Sequence, residues 1–276
     1  MDFGIFPFGS PNTQRPIRRC KGAAQLFLLA VYPSALHVRW QRPSSQGQEQ
    51  GGVRSLAIDV EPEVLWDGRC PAAADLIREW SVRVGFRADW GQITAAAENG
   101  SSGMQLIEKV LDPLCVSADD VAMSDCVNHY FLKYRASAAQ GRQQGDAIAQ
   151  EYAPFAARLG LPACTLPTRP DQRQLIARAL QDHRTRLLTE LSEISAPRLV
   201  TVGEEARRVI LGLVDTQRDD PPYRSLKASD PSYGQPGSAR IDGRSMEWIA
   251  LVHPNQNAEH WRAANQRWRD QLSTRR

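Results

Sequence analysis

The strongest constraint on the fold is a repeated alternation: short apolar runs, each closed by a polar or loop-forming residue, are separated by longer stretches with helical spacing. That order predicts an α/β protein, a three-layer α/β/α sandwich around a central, mainly parallel sheet. The runs read as strands are "QLFLLAVY" (25–32), "SLAIDV" (55–60), "VAMSD" (121–125), "RLVTVG" (198–203) and "EWIALVH" (247–253). Between them, "CPAAADLIREWSVRVG" predicts a helix opened by Pro71, and "SGMQLIEKVLDPL" one that stops before Pro113. Apolar residues at Leu175, Ile176, Ala179, Leu180, Leu187, Leu188 and Leu191 predict one long helix capped by Asp171. "GEEARRVILGLV" predicts a helix directly after a strand, and "NAEHWRAANQRWRDQL" a basic helix whose Trp261 and Trp268 pack on one face.

Two stretches lack this pattern. Residues 41–54 form a polar, Gly-rich excursion, and 215–245 a long Pro/Gly/Ser segment of the kind that serves as a lid or a disordered insertion. There is no internal repeat and no break in composition, so residues 1–276 are expected to form a single domain, with an N-terminal strap over 1–20 and the long loop at 215–245. The stretch "FPFGSP" (6–11) could lie across a site or pack as that strap, and packing is the more economical account. A hydrophobic content of 42% is ample for a core.

No apolar run approaches the roughly 20 residues of a membrane span, and the first residues lack the charged-then-apolar order of a secretory signal. A cytoplasmic protein without a membrane partner is expected, and a monomer. The five cysteines and five histidines are scattered, with no Cys-x-x-Cys pair, so neither a disulfide framework nor a structural metal is expected. The net charge of +3 rests almost wholly on arginine, since lysine occurs only at 21, 109, 133 and 227. Such basicity permits nucleic-acid binding without requiring it.

Ligands of open parallel sheets bind beyond the carboxyl ends of the strands. The residues expected there are Tyr32-Pro33-Ser34, Asp125 and His253-Pro254. No phosphate-binding Gly-rich fingerprint and no Gly-x-Ser-x-Gly elbow accompanies them, so nucleotide-cofactor and α/β-hydrolase readings find little support.

The order of these features resembles the uracil-DNA glycosylase superfamily. The shared elements are a strand ending in x-Pro, a middle strand ending in Asn or Asp, the helix–strand–helix "LLTELSEISAPRLVTVGEEARRVI", and a last strand ending "LVHPNQN". The resemblance spans residues 20–272. It implies a monofunctional DNA glycosylase without a cofactor, because the four clustered cysteines of the iron–sulfur members are missing. It assigns His253 to stabilising charge on the departing base, Asp125 to the place of the base-reading Asn, Pro33 to the first-motif Pro, and Trp66 to stacking on the extruded base. Asn128 or His129 become the readers if the register is shifted. Arg39, Asn255, Gln256, Asn257 and Arg262 are expected to face DNA. Arg18, Arg19, Arg42, Arg135, Arg142, Arg267 and Arg269 also flank the expected mouth in sequence, either as phosphate ligands or as ordinary surface.

Departures from the family pattern sharpen the expectation. Tyr32 stands where the best-known members carry a water-activating Asp, and a neutral phenol is no anionic base; Asp59, Glu61 or Asp67 are the substitutes to consider. Ser34 replaces a Tyr that blocks a substituent on C5. A carboxylate at 125 only accepts hydrogen bonds, which suits the N4 amine of cytosine. The expected substrate is therefore a cytosine with a bulky C5 group, hydroxymethylated or glucosylated as in some bacterial-virus DNA. Other readings stay open: Asp125 as a cap for "CVNHYF", Tyr32 and Trp66 as core aromatics, an inactive DNA-binding protein of the same fold, a hydrolase of free nucleosides or nucleotides, or a uracil-DNA glycosylase of base-excision repair.

Overall fold

A computed structural model describes residues 3–43, 53–135, 143–256 and 258–274. Its central sheet has five strands: β1 (Leu26–Ala30), β5 (Val121–Asp125), β6 (Arg198–Val202), β7 (Gly237–Ile241) and β8 (Arg244–Leu251). They lie in the order β5-β1-β6-β8-β7, parallel except for β7. Strand β1 is buried at all five positions, as a strand covered on both faces must be. Its side chains alternate between two cores: Phe27 and Leu29 meet one, while Leu26, Leu28 and Ala30 meet the other.

Helices α5 (Gln172–Asp182), α6 (Arg184–Ile194) and α7 (Glu204–Leu211) cover the first face with Leu175, Leu187, Leu191 and Val209. Helices α2 (Ser101–Leu106) and α8 (Glu259–Thr274), with residues 107–116 between α2 and β5, cover the second with Leu106, Leu111 and Trp268. The expected mixed α/β architecture with flanking helices is present. None of these helices is long and apolar enough to cross a membrane.

The run at 55–60 is not part of this sheet. It belongs to β3 (Val53–Val60), which pairs antiparallel with β2 (Ala35–Gln41), itself antiparallel to β4 (Gln92–Ala95). In β2 the buried Leu36, Val38 and Trp40 alternate with the more open His37, Arg39 and Gln41, the period of a half-buried strand. A third core fills the space between this small sheet, α1 (Ala73–Arg83), the segment running from α3 (Gln144–Ala147) into α4 (Ala153–Leu159), and the N-terminal strap. Phe6 and Phe8 are buried there, Phe8 among Trp40, Trp80, Phe86 and Tyr152, so "FPFGSP" packs as the strap.

The long helix expected after Asp171 is two helices. Asp171 and Gln174 form a reciprocal N-cap, but the chain leaves helical geometry at His183 (φ −117°). The buried positions 175, 179, 183, 187 and 191 recur every four residues. On a helix of 3.6 residues per turn that repeat drifts about 40° per step, or about 160° in all, so one straight helix could not keep all five against the sheet. The segment 215–245 is not a structureless loop. It carries β7, closed onto β8 by Asp242-Gly243 at φ +50° and +75°, and the Asp215 carboxylate accepts from both of their N–H groups. Residues 44–52 of the polar excursion lie outside the described residues.

Candidate functional site

The carboxyl ends of β1, β6 and β8 open into a cleft of about 790 Å³, whose far wall comes from β2, the start of α3 and the segment around Lys133. Adjacent strands of a parallel sheet end at one level, so the residues after β1 (Tyr32, Pro33, Ser34), β6 (Gly203, Glu204, Glu205) and β8 (Val252, His253) become neighbours. Gly203 has φ +105°, and a Cβ there would stand 3.1 Å from Val31 Cγ2, so both backbone and space favour glycine.

The loop after β1 is clamped from below. Arg15, in the strap, is almost fully buried and donates to the Ser34 carbonyl (2.9 Å), the Glu63 carbonyl (3.1 Å) and the Glu61 carboxylate (3.5 Å). Ser34 Oγ lies 3.3 Å from Ser102 Oγ, which also accepts from Asn255 Nδ2 at 3.4 Å and so links the β1 and β8 sides. The Tyr32 ring lies under two cations, Lys133 Nζ at 5.4 Å and Arg169 Cζ at 5.5 Å from its centroid, with Phe131 at its edge. Arg169 donates to Glu205 Oε1 at 2.9 Å.

His253 is held by its neighbours. The Val252 N–H donates to the Tyr233 hydroxyl (3.0 Å), which donates to Asn265 Oδ1 on α8 (2.5 Å). The Asn255 N–H donates to His253 Nδ1 at 3.2 Å, which makes Nδ1 the acceptor and leaves the proton of a neutral ring on Nε2. Burial, helped by the charge of Lys133, pushes His253 down to about 4, so the ring is uncharged at neutral pH.

Tyr32, Pro33, Ser34, His253, Asn255 and Gln256 therefore share one cleft, as the strand-end rule predicts. Several other expected residues do not line it. Asp125 is 3% exposed and turned into the interior. Burial raises its carboxyl to about 7 against the pull of Arg15 and Arg186. No helix begins within residues 126–135, so Asp125 is not a helix N-cap; the N–H groups of Cys126 and Val127 continue the pairing with Ala30 and Val31. Trp66 is 1% exposed in the third core, its Nε1 donating to the Pro71 carbonyl, with the backbone of Gly103 packed against its own. Asn128 is buried under the strap, donating to the Arg15 carbonyl, and His129 is packed between Phe3 and Phe131.

Arg39 is exposed on β2 and does not line the cleft, and Arg262 stands on α8 one residue beyond the cleft-lining Trp261. Asn257 and Arg142 lie outside the described residues. Of the carboxylates considered for activating water, Asp59 pairs with Arg83, Glu61 with Arg15 in the interior, and Asp67 closes a turn through the Arg69 N–H; none reaches the cleft. Among the described residues, the carboxylates that do line it are Glu98, Glu204 and Glu205. The last two were not among the expected site residues, although they directly follow β6 and the strand-end rule that points to β1, β5 and β8 points to them as well. Lys133, Arg169, Gln143, Gln172 and Trp261 come from segments without a motif.

No protein-family model matches the chain, and no curated protein matches it.

Proposed function

We propose that the protein is a monofunctional DNA glycosylase that cleaves the N-glycosidic bond of a modified pyrimidine, best a 5-substituted cytosine, and leaves an abasic site. The observation that carries this reading is His253: a neutral imidazole fixed at Nδ1 on a residue that lines a strand-end cleft, whose Nε2–H has no hydrogen-bond partner among the described residues. Glycosidic cleavage leaves the bonding electron pair on the base, and a fixed donor toward the base oxygen stabilises that charge without reorganising. A neutral donor serves better than an imidazolium, which would lose its proton to the departing anion.

The cleft supports a substituted base over a bare one. Its volume of about 790 Å³ falls in the range of sites for drug-sized ligands, about 300–1,000 Å³. Gln143, Gln172, Asn255 and Gln256 line it with amides, which donate and accept and so suit a hydroxylated C5 substituent. With Asp125 in the interior, this room and these amides support a C5 substituent on the base, and the choice of cytosine no longer rests on an accept-only carboxylate. Excision of such bases from viral DNA would make the protein a defence enzyme of its host.

The test is incubation with virus DNA containing hydroxymethylated or glucosylated cytosine, beside ordinary and uracil-containing DNA, followed by alkaline cleavage and mass analysis of released base. Strand breaks confined to modified DNA and lost in His253→Ala are expected. Release of uracil alone would overturn the substrate assignment; DNA binding with no released base would make the protein a binding module.

A further inference from the structure

We infer that Glu205 is the carboxylate that activates water for this cleavage, in the role that Tyr32 cannot fill. The inference rests on the glycosylase reading and names a residue for its chemistry. Strand β6 lies between β1 and β8, so its end stands between Tyr32 and His253. Glu205 is the second residue beyond Gly203, in the first turn of α7, and it lines the cleft with its side chain 14% exposed.

Its two oxygens are used differently. Oε1 accepts from Arg169, while Oε2 has no hydrogen-bond partner among the described residues. Oε2 lies 3.7 Å from where a Cβ on Gly203 would stand, and that Cβ would in turn touch Val31. Glycine at 203 thus keeps Oε2 open toward the end of β1. The other carboxylates of the cleft are less suited. Glu204 is held by both Arg207 and Arg208, which fixes it to its own helix. Glu98 is exposed and bonded to Ser55 on the small sheet.

Tyr32 then has a purpose at its position. Its ring lies under the Arg169 guanidinium, and Arg169 holds Glu205, so the phenol is a positioning residue for the carboxylate. In the step itself, the water oxygen bonds to C1′ as the bond from C1′ to N1 of the base breaks. The bonding pair leaves on the base, where its O2 accepts from His253 Nε2–H. The proton of the water passes to Glu205 and from there to the released base or to solvent, so atoms and charge balance.

The test uses the full chain in single-turnover base release from DNA carrying glucosylated hydroxymethylcytosine. The amide oxygen in Glu205→Gln still accepts from Arg169, so folding and DNA affinity should be retained while the rate falls at least about 100-fold, the usual loss of a general base. In Glu205→Ala, added formate should restore part of the rate, which a purely structural carboxylate would not permit. Tyr32→Leu, which removes the ring under Arg169, should lower the rate more than Tyr32→Phe, which keeps it. A wild type that releases base with Glu205→Gln within about 3-fold of it would overturn the role of Glu205 and leave the glycosylase reading intact. A wild type that releases no base overturns both. If Glu205→Gln melts below the assay temperature, formate dependence of Glu205→Ala decides, and its absence in a folded variant counts against the proposal.

Discussion

Replacing Arg15 with methionine should destabilise the protein by an amount that grows with pH. The side chain is 3% exposed and makes two hydrogen bonds to backbone carbonyls, at 2.9 and 3.1 Å. Bonds from a charged donor contribute about 1.5–3 kcal/mol each, and methionine recovers part of this through its apolar volume, leaving about 3 kcal/mol. The pH-dependent part comes from Glu61. Burial raises its carboxyl from 4.5 to about 7, with Arg15 opposing the rise. A raised folded pKa in an acid means that its stabilising contribution is complete below the unfolded value and is lost as pH rises toward the folded one. In wild type that loss ends near pH 7, where Glu61 ionises against Arg15; in Arg15→Met it continues at about 1.4 kcal/mol per pH unit. The gap between the two proteins should therefore widen from about 3 kcal/mol at pH 6 to about 5 at pH 8.5. Asp125, which Arg15 also holds down, acts in the same direction. Urea unfolding at both pH values, with unchanged denaturant slopes, measures this. A gap below about 1 kcal/mol at pH 6, or an equal gap at the two pH values, would refute the assignment of Arg15 as the counter-charge of a buried carboxylate.

Three further outcomes follow from the same structure. In Asp125→Asn the buried carboxyl raised from 3.8 to about 7 is removed, so the variant should gain on wild type between pH 5 and pH 8, by about 2.7 kcal/mol; urea midpoints across that range check it, and a gain on acidification instead would reverse the sign of the argument. His129, His183 and His253, each lowered to about 4, work the other way: their contribution is complete above 6.5 and is lost as pH falls toward 4, which should show as a steeper acid limb once Asp125 is gone. Trp66→Phe should cost about 1 kcal/mol for the lost Pro71 bond and leave base release unchanged; a fall in base release at unchanged stability would return Trp66 to the site.

The parts of the fold legible in the sequence are those whose signal is local. Val121–Asp125 is observed at the predicted bounds, and Asp171 caps α5, because an apolar run and an N-cap oxygen act over a few residues. Of the small sheet only "SLAIDV" is legible as a strand, because β2 follows the Tyr-Pro-Ser loop at once and β4 has four residues. The β7–β8 hairpin carried an Asp-Gly turn, a strong local signal, inside a segment read as loop by composition. Within the site, His253 and Tyr32 were legible from strand ends. Asp125 was not, because a polar residue at a strand end faces the cleft or the interior according to a shift of one residue. The Trp66 side chain is buried in the third core while its backbone packs against Gly103, tertiary contacts that no spacing in the sequence announces.

The arginine content has a structural explanation that composition alone disguises. Only four of the 34 basic residues are lysine. Arg15 binds the carbonyls of Ser34 and Glu63, Arg18 those of Ala118 and Val121, Arg186 those of Asp125 and Cys126, Arg207 those of Pro222 and Tyr223, and Arg244 those of Leu191 and Ser192. Each fork satisfies backbone oxygens at or beside the ends of strands, helices and turns, a task that needs several fixed donors on one planar group and that a lysine ammonium performs poorly. Arg18 had been counted with the mouth of the site and instead ties the strap to β5. The cations left to meet a phosphate backbone are therefore fewer than the composition implies, and those at the cleft, Lys133 and Arg169, sit over Tyr32. Electrostatic attraction to duplex DNA should accordingly be modest, with selectivity resting on what the cleft accepts.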